Sequence, residues 1–417
     1  MNDVFTSKRS LALAAALGVI AVLATAELVT HLEAPHIGMF ADLLGRLKNL
    51  RSLQVTGNIY VPFGQEAFTY PPGAILLFWP ILWSSQSLLP LVWTIMSLVA
   101  LVGAIFVVLN HLFHKSGAWT LGISCSAAAL SVVIFPPVFE DLCWGQTGTI
   151  LLLFVVLDML AVRGRAKGVL IGLATSFKIY PGVFIIVFLM RRQWRAAMNA
   201  LATTAITTGL ASMLWPKSAS YFFTQELLGG GELVHLKAGT EAMASSSLID
   251  FFIRTPFSIT PNNFETAAAF VLVLIVGLIG AHKLLRQHFE FTSMLIVQIV
   301  SVVGSPVAWD HYFVFAPLLC LVPVELGWDR ALGRTAIAAA VVMAVPWFHF
   351  RKPLMHSWWA SSYGFTARNA ILLAALAMLA VAAFARLTSK HRGTTKGRSL
   401  TRSGFQLPQL DSPVGDC

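Results

Sequence analysis

The sequence predicts an all-α, polytopic transmembrane protein with about twelve membrane helices, and two observations carry that prediction. Hydrophobic residues make up 57% and charged residues 12% of the 417 positions, where soluble domains carry about 25% charged residues. Uncharged windows near the roughly 20 residues that a helix needs to cross a bilayer also recur along the chain. Mean hydropathy is +0.74, so lipid is the expected solvent for most of the surface.

The windows run from Leu11 to Ala26, Pro71 to Leu109 (long enough for two spans), Ala118 to Phe139, Leu142 to Leu157, and Gly168 to Met190, interrupted by Lys178. They continue with Ala196 to Pro216, Ala267 to Ala281, Phe291 to Trp309, His311 to Pro323, Thr335 to Phe348 and Asn369 to Ala385. The first follows Lys8 and Arg9 as a signal peptide would. It runs on through Glu27 and Leu28 with no small-x-small cleavage site, so a retained helix is expected. Residues 1–388 are expected to form the membrane domain and 389–417 a basic, disordered cytoplasmic tail.

Basic residues set the orientation, because Lys and Arg gather on the cytoplasmic side. Lys8 with Arg9, Arg191 with Arg192 and Arg195, Lys283 with Arg286, Arg330 with Arg334, and the tail all fit one face, which leaves both termini inside. Arg163, Arg165 and Lys167 break the pattern, since a single span from them to Arg191 would put them outside. Either that loop is an exception, or Gly168 to Met190 is a broken, re-entrant pair kinked at Lys178-Ile179-Tyr180-Pro181-Gly182. Both alternatives stand at this level.

The net charge of +10 does not point to nucleic acid, because the basic residues form short clusters between apolar runs and in the tail. That distribution fits the anionic cytoplasmic leaflet. Four scattered cysteines have no metal-ligand spacing, so neither a zinc site nor a disulfide framework is expected.

Two long polar-rich loops, His31 to Tyr70 and Lys217 to Glu265, fall on the extracytoplasmic side, and long ordered loops are usually functional. In the first, Asp42 sits at the edge of lipid, where a carboxylate can serve as general base toward a sugar hydroxyl. The plainer reading is a solvated acid at the head of the amphipathic stretch Leu43 to Leu53. Glu66 is a weaker candidate for the same role. Tyr70 precedes Pro71-Pro72-Gly73, which opens a helix because proline lacks the N–H that a first turn leaves unpaired. Gly145-Gln146-Thr147-Gly148 opens another window after Glu140 and Asp141.

Lys178 is an ammonium flanked by apolar residues, a functional candidate by default that would pair with a lipid phosphate, unless it snorkels to an interface. Ser245-Ser246-Ser247-Leu248-Ile249-Asp250 leads to Arg254, where hydroxyls and a guanidinium suit a phosphate or sugar as well as a helix cap. Gly304-Ser305-Pro306-Val307-Ala308-Trp309-Asp310-His311-Tyr312 is a proline break that presents Trp309, His311 and Tyr312 at the outer membrane edge, where aromatic belts also collect Trp and Tyr.

The order of these motifs resembles the GT-C family of polyprenol-phosphate-sugar-dependent glycosyltransferases. This is the family of the mycobacterial phosphatidylinositol mannoside α-1,2-mannosyltransferase and a related arabinofuranosyltransferase. The resemblance runs from about Asp42 to Tyr312, and Phe177-Lys178-Ile179-Tyr180-Pro181 and Ser305 to His311 are its most specific parts. It implies that Asp42 is the catalytic aspartate and His311 the first of two histidines after Ser-Pro-x-x-Trp; this chain has Tyr312 where the second is expected. Ser245 and Ser246 stand where the family more often has Gly-Asn-Gln before Ser-Leu, and Gly148 stands where Asn is common after Gly-Gln.

The reaction so implied transfers a hexose, mannose first, from polyprenyl phosphate to a glycolipid or cell-envelope glycan, with inversion. It would run on the extracytoplasmic side of a bacterial inner (plasma) membrane. Arabinofuranose transfer is the alternative. Such a donor carries its own leaving group, so the protein needs a base, Asp42, and cations for the departing phosphate, Lys178, His311 and Arg254. Tyr70, Gln146, Trp309 and Tyr312 join the donor side and Ser247 the acceptor side. No Asp-x-Asp occurs in the outer loops, so neither metal nor other cofactor is expected. The expected partners are donor, acceptor and membrane lipids, with the chain acting as a monomer. A twelve-helix secondary transporter is the rival from a different class, against which no repeat relates the two halves and both large loops lie on one face. A non-catalytic, lipid-binding scaffold is the second rival.

Overall fold

A chain dissolved in lipid must pair its backbone N–H and C=O groups internally, which leaves helices as the economical choice. A computed structural model describes residues 18, 39–60, 68–114, 117–227, 246–248, 251, 263–305, 307–346 and 358–385, and among them every regular element is helical. Apart from Gly18, the window Leu11 to Ala26 lies outside the described residues, as do most of the second long loop, Glu66, Arg254 and the basic tail.

In chain order the helices are α1 (Ala41–Thr56), α2 (Gly73–Phe78, extended by the 3-10 turn Trp79–Trp83), α3 (Leu89–Phe113), α4 (Ala118–Ile134), α5 (Pro136–Cys143) and α6 (Gly148–Val156, ending in the wider turn Leu157–Ala161). Next come α7 (Val169–Phe177), α8 (Val183–Met190), α9 (Trp194–Leu214) and α10 (Pro216–Tyr221). After the second long loop follow α11 (Asn263–Arg286), α12 (Glu290–Val303), α13 (Val322–Leu326), α14 (Ala331–Met343) and α15 (Trp358–Phe384).

Several of the windows expected to span the membrane are cut into shorter apolar helices. Among the described residues two helices are long and apolar enough to cross a membrane, Leu89–Phe113 and Ala267–Arg286, or three if the bent pair α4 and α5 counts as one span. Prolines explain that bend. Pro136 and Pro137 cannot continue α4, and the residue before a proline is pushed out of helical geometry. Phe135 is extended at φ −108°, ψ 103°, and the chain turns by 90°. The window Phe291 to Trp309 is similarly cut at Val303, and His311 to Pro323 becomes two 3-10 segments, Asp310–Phe313 and Ala316–Leu321, before α13.

The segment Gly168 to Met190 is broken where Lys178 stands, and its two halves double back. α7 runs alongside α9 in the same direction: Gly168 abuts Ala196, Gly172 abuts Ala200, and Thr204 Oγ1 donates to the Gly172 carbonyl at 3.0 Å. α8 then returns, so that the Lys167 ammonium lies 5.8 Å from the Phe188 ring centre. Asn199 ties the ends together by donating to the carbonyls of Arg165 and Lys167 at 2.8 and 2.9 Å. The clusters Arg163 to Lys167 and Arg191 to Arg195 therefore share one end of a helical hairpin, and Lys178 marks its tip. Neither cluster has to be an exception to the charge rule.

Broken helices expose N-termini inside the protein, and buried carboxylates satisfy them. Asp158, fully buried, accepts the Gly168 and Ile171 N–H groups at 2.7 and 2.8 Å, capping α7. Asp141, also fully buried, accepts the N–H groups of Gly148 and Thr149 at 2.8 and 3.1 Å and the Thr149 hydroxyl at 3.2 Å, capping α6. Glu325 does the same for α12 through Phe291 and Thr292. A negative charge at a helix start is held by the unpaired N–H groups and the helix dipole together.

Two stability outcomes follow. At Gly168, φ is +97° and a Cβ would fall 2.0 Å from the Ala196 carbonyl oxygen, so Gly168→Ala is expected to cost about 2–5 kcal/mol, read as a lowered thermal midpoint in detergent. Gly148→Asn, which installs the residue common in the GT-C family, would put a Cβ 2.5 Å from Asp141 Oδ1. It is expected to displace the cap and cost about 1–3 kcal/mol in the same measurement; an unchanged midpoint would mean the carboxylate moves aside freely.

Candidate active site

The site forms where α1 docks on the turn between α5 and α6. Phe40 donates its N–H to the Cys143 carbonyl at 2.7 Å, and Gly145, at φ +65°, lets Leu43 approach so closely that a Cβ there would lie 2.6 Å from Leu43 Cβ. That approach sets Asp42 against Gln146. The turn itself is held from behind, because Gln146 donates its N–H to the Asp141 carbonyl at 2.7 Å and accepts from Trp93 Nε1 at 2.9 Å.

Asp42 is 32% exposed, and Gln146 Nε2 donates to its Oδ2. Arg46, one helical turn on, places Nη2 3.6 Å from the same oxygen. The Arg46 guanidinium is buried and donates to the Tyr70 hydroxyl at 2.6 Å, Gln146 Oε1 at 3.2 Å and the Gly145 carbonyl at 3.5 Å. The Tyr70 hydroxyl passes the chain on to Gln146 Oε1 at 3.3 Å. Burial pushes the Tyr70 phenol above its ordinary range, so it stays protonated and serves as donor. Tyr60 fixes the Tyr70 backbone by donating its hydroxyl to the Tyr70 carbonyl at 2.6 Å.

Lys178 enters from the hairpin tip. Its ammonium rests 5.4 Å from the Tyr70 ring centre and 4.1 Å from that of Tyr312, at distances where ring faces stabilise a cation. Asp42, Asp141 and Arg46 are all within its electrostatic reach, yet no carboxylate among the described residues forms an ion pair with it. Tyr180 packs on Tyr312 at 5.7 Å and completes the wall.

The break after α12 supplies the third part. His311, 7% exposed, lies edge-on to Tyr312 at 5.0 Å, and its Nε2 has no hydrogen-bond partner. The Trp309 ring lies parallel to His311, 6.5 Å away and half-buried, on the margin of the array. Ser246 latches the end of the second long loop to this segment: its N–H donates to the Ala308 carbonyl at 2.6 Å and its hydroxyl to Asp310 Oδ1 at 2.9 Å. Ser247 is buried beside it and accepts the Phe251 N–H at 3.1 Å.

Thus Asp42, Tyr70, Gln146, Lys178, His311 and Tyr312 converge, while Arg254 and Glu66 lie outside the described residues. Sequence reading missed Arg46, whose signal was its spacing of four from Asp42 on a helix, and it treated Asp141 as a neighbour of Gly145-Gln146 and not as the cap that shapes the turn. The assembly offers a carboxylate with one oxygen engaged, a permanent cation behind it, and an unpaired ammonium and imidazole across two tyrosine rings. Such a set can take a proton from a hydroxyl at one end and bind an anion at the other.

Comparison with known proteins agrees with this chemistry. The model of glycosyltransferase family 87 matches residues 68–306. The chain is 26% identical over 385 residues to the polyprenol-phosphate-mannose-dependent alpha-(1-2)-phosphatidylinositol mannoside mannosyltransferase of Mycobacterium tuberculosis, covering 84% of this chain and 83% of that protein. The protein of the same description from Mycolicibacterium smegmatis is 26% identical over 300 residues, 67% of each chain. The M. smegmatis pentamannoside mannosyltransferase, likewise described as polyprenol-phosphate-mannose-dependent, is 25% identical over 398 residues, 92% of this chain and 94% of that one. No solved structure matches significantly. The family match spans more than half of the sequence, from just before Tyr70 to the Ser305-Pro306 break, and takes in the turn at Gln146 and the hairpin tip at Lys178: this chain belongs to glycosyltransferase family 87.

Proposed function

We propose that this enzyme transfers mannose from a polyprenyl phosphate to a hydroxyl of a glycolipid or cell-envelope glycan, in a single inverting displacement on the extracytoplasmic face of the membrane. One observation carries the reading: a carboxylate and two unpaired basic side chains meet in one largely buried array, in a chain whose relatives are described as using polyprenol-phosphate-mannose.

In this reading Asp42 Oδ1 receives the proton of the acceptor hydroxyl as its oxygen attacks the anomeric carbon. The bond from that carbon to the phosphate oxygen breaks, and polyprenyl phosphate leaves with the electron pair. Negative charge grows on the phosphate, where Lys178 and His311 stand. Holding an ammonium out of water without a counter-ion is costly, and the donor phosphate supplies one. His311 Nε2 gains a partner in the same step. The proton on Asp42 returns to water through its exposed third. Residues 254 and 309 belong to the donor side and 247 to the acceptor side of the same proposal, with no metal taking part.

The hairpin supports the assignment of sides. Its two basic clusters share one end, as expected for the cytoplasmic face, while Lys178 and the Asp42 array sit toward the tip.

Purified protein incubated with radiolabelled polyprenyl-phosphate-mannose and envelope lipids is expected to yield mannosylated lipid, and the polyprenyl-phosphate-arabinose donor none. No product from either donor, where a known family member works, sinks the reading. Asp42→Asn is expected to lower kcat by about 10²–10⁴-fold with little change in donor KM. Lys178→Met is expected to raise donor KM by about 10-fold or more, through loss of a charge-assisted contact.

A further inference from the structure

Every contact recorded for the Asp42 carboxylate falls on Oδ2, where Gln146 and Arg46 meet it. Oδ1 has no hydrogen-bond or ion-pair partner among the described residues. Arg46 is spent on the protein: its two terminal nitrogens serve Tyr70, Gln146, Gly145 and Asp42. Its Nε lacks a partner but is sealed from solvent, out of reach of any ligand. Its Cζ also lies over the Tyr70 and Phe78 rings, 4.9 and 5.7 Å from their centres. The Tyr70 ring carries Lys178 as well, at 5.4 Å. Two cations thus lie within reach of Asp42, and either could neutralise it.

We propose that Arg46 is the positioning residue for Asp42: it holds Oδ2 as the permanent counter-ion, leaves Oδ1 to the acceptor hydroxyl, and so frees Lys178 for the donor phosphate. This rests on the reading of Asp42 as general base. Without Arg46, Lys178 is the cation left within reach of Asp42. Pairing between them would turn the carboxylate away from the acceptor and occupy the phosphate site together. A guanidinium suits the role because it stays charged and its planar fork engages several acceptors at fixed angles.

The test is a double-mutant cycle on transfer kinetics with Arg46→Gln and Arg46→Lys, each alone and combined with Asp42→Asn. Arg46→Gln alone is expected to lower kcat about 10²-fold, the effect of a misplaced reacting group, while donor KM changes less than about 3-fold. Arg46→Lys, which keeps the charge but not the fork, should restore part of kcat. On the Asp42→Asn background neither change should slow transfer further, because residues acting as one unit are not additive.

Losses that multiply, or a rise in donor KM as the main effect of Arg46→Gln, would overturn the proposal in favour of direct donor binding by Arg46. Should Arg46→Gln fail to accumulate, Arg46→Lys carries the same cycle. If wild-type protein transfers no sugar, the functional reading fails by itself. The Asp42–Arg46 pairing is then read from thermal midpoints of the same proteins, where additive shifts would refute it.

Discussion

A helix that stops inside an apolar protein leaves N–H groups with nothing to bond, and the architecture of this chain depends on how that debt is settled. Asp141 and Asp158, both fully buried, close the starts of α6 and α7, and Glu325 closes α12. A buried carboxylate alone would be prohibitive, and a buried helix end alone would cost several kcal/mol. Placed together they neutralise each other. Because of these caps the chain can break its helices at depth, and it uses the breaks to bring polar side chains where continuous helices would present only apolar ones. Gln146 stands in the turn behind Asp141, and Lys178 at the tip of the hairpin that Asp158 begins.

The cations are managed by a different device. Arg46 and Lys178 both lie against tyrosine rings, and of the two, among the described residues, Arg46 alone forms an ion pair with a carboxylate. Ring faces soften the loss of water around a charge without cancelling it, so an ammonium held this way stays available to an incoming anion. This explains a departure from the pattern of the GT-C family. Where a second histidine is expected, Tyr312 offers Lys178 a neutral aromatic face at 4.1 Å and packs against His311 and Tyr180. The same logic accounts for Gly148, whose missing Cβ admits the Asp141 carboxylate, and for Ser246, whose hydroxyl reaches Asp310.

The hairpin of α7 and α8 reconciles two rules that conflict along the linear sequence. Positive clusters before and after the segment demand the same side of the membrane, yet the apolar run between them has the length of one crossing. Doubling back at Lys178-Ile179-Tyr180-Pro181 satisfies both, and glycines at 168 and 172 let the first half press directly on the backbone of α9.

Composition and the recurrence of apolar windows by themselves determined that this chain is helical and lives in lipid, because solvent preference is a property of residues and not of their arrangement. Motif order also singled out Asp42, Tyr70, Gln146, Lys178, His311 and Tyr312, since intramembrane charges and proline breaks are rare enough to be conspicuous in a sequence. What only the tertiary structure decided was where helices end and which charges meet. The packing of the fold-back at Lys178 against α9 and the contact of Gly145 with Leu43 depend on partners from about 30 to about 100 residues away in the chain, which no local window contains. Arg46, inside the amphipathic stretch Leu43 to Leu53, went unmarked for the same reason: burial is conferred by the elements packed over a side chain, and those come from elsewhere in the sequence.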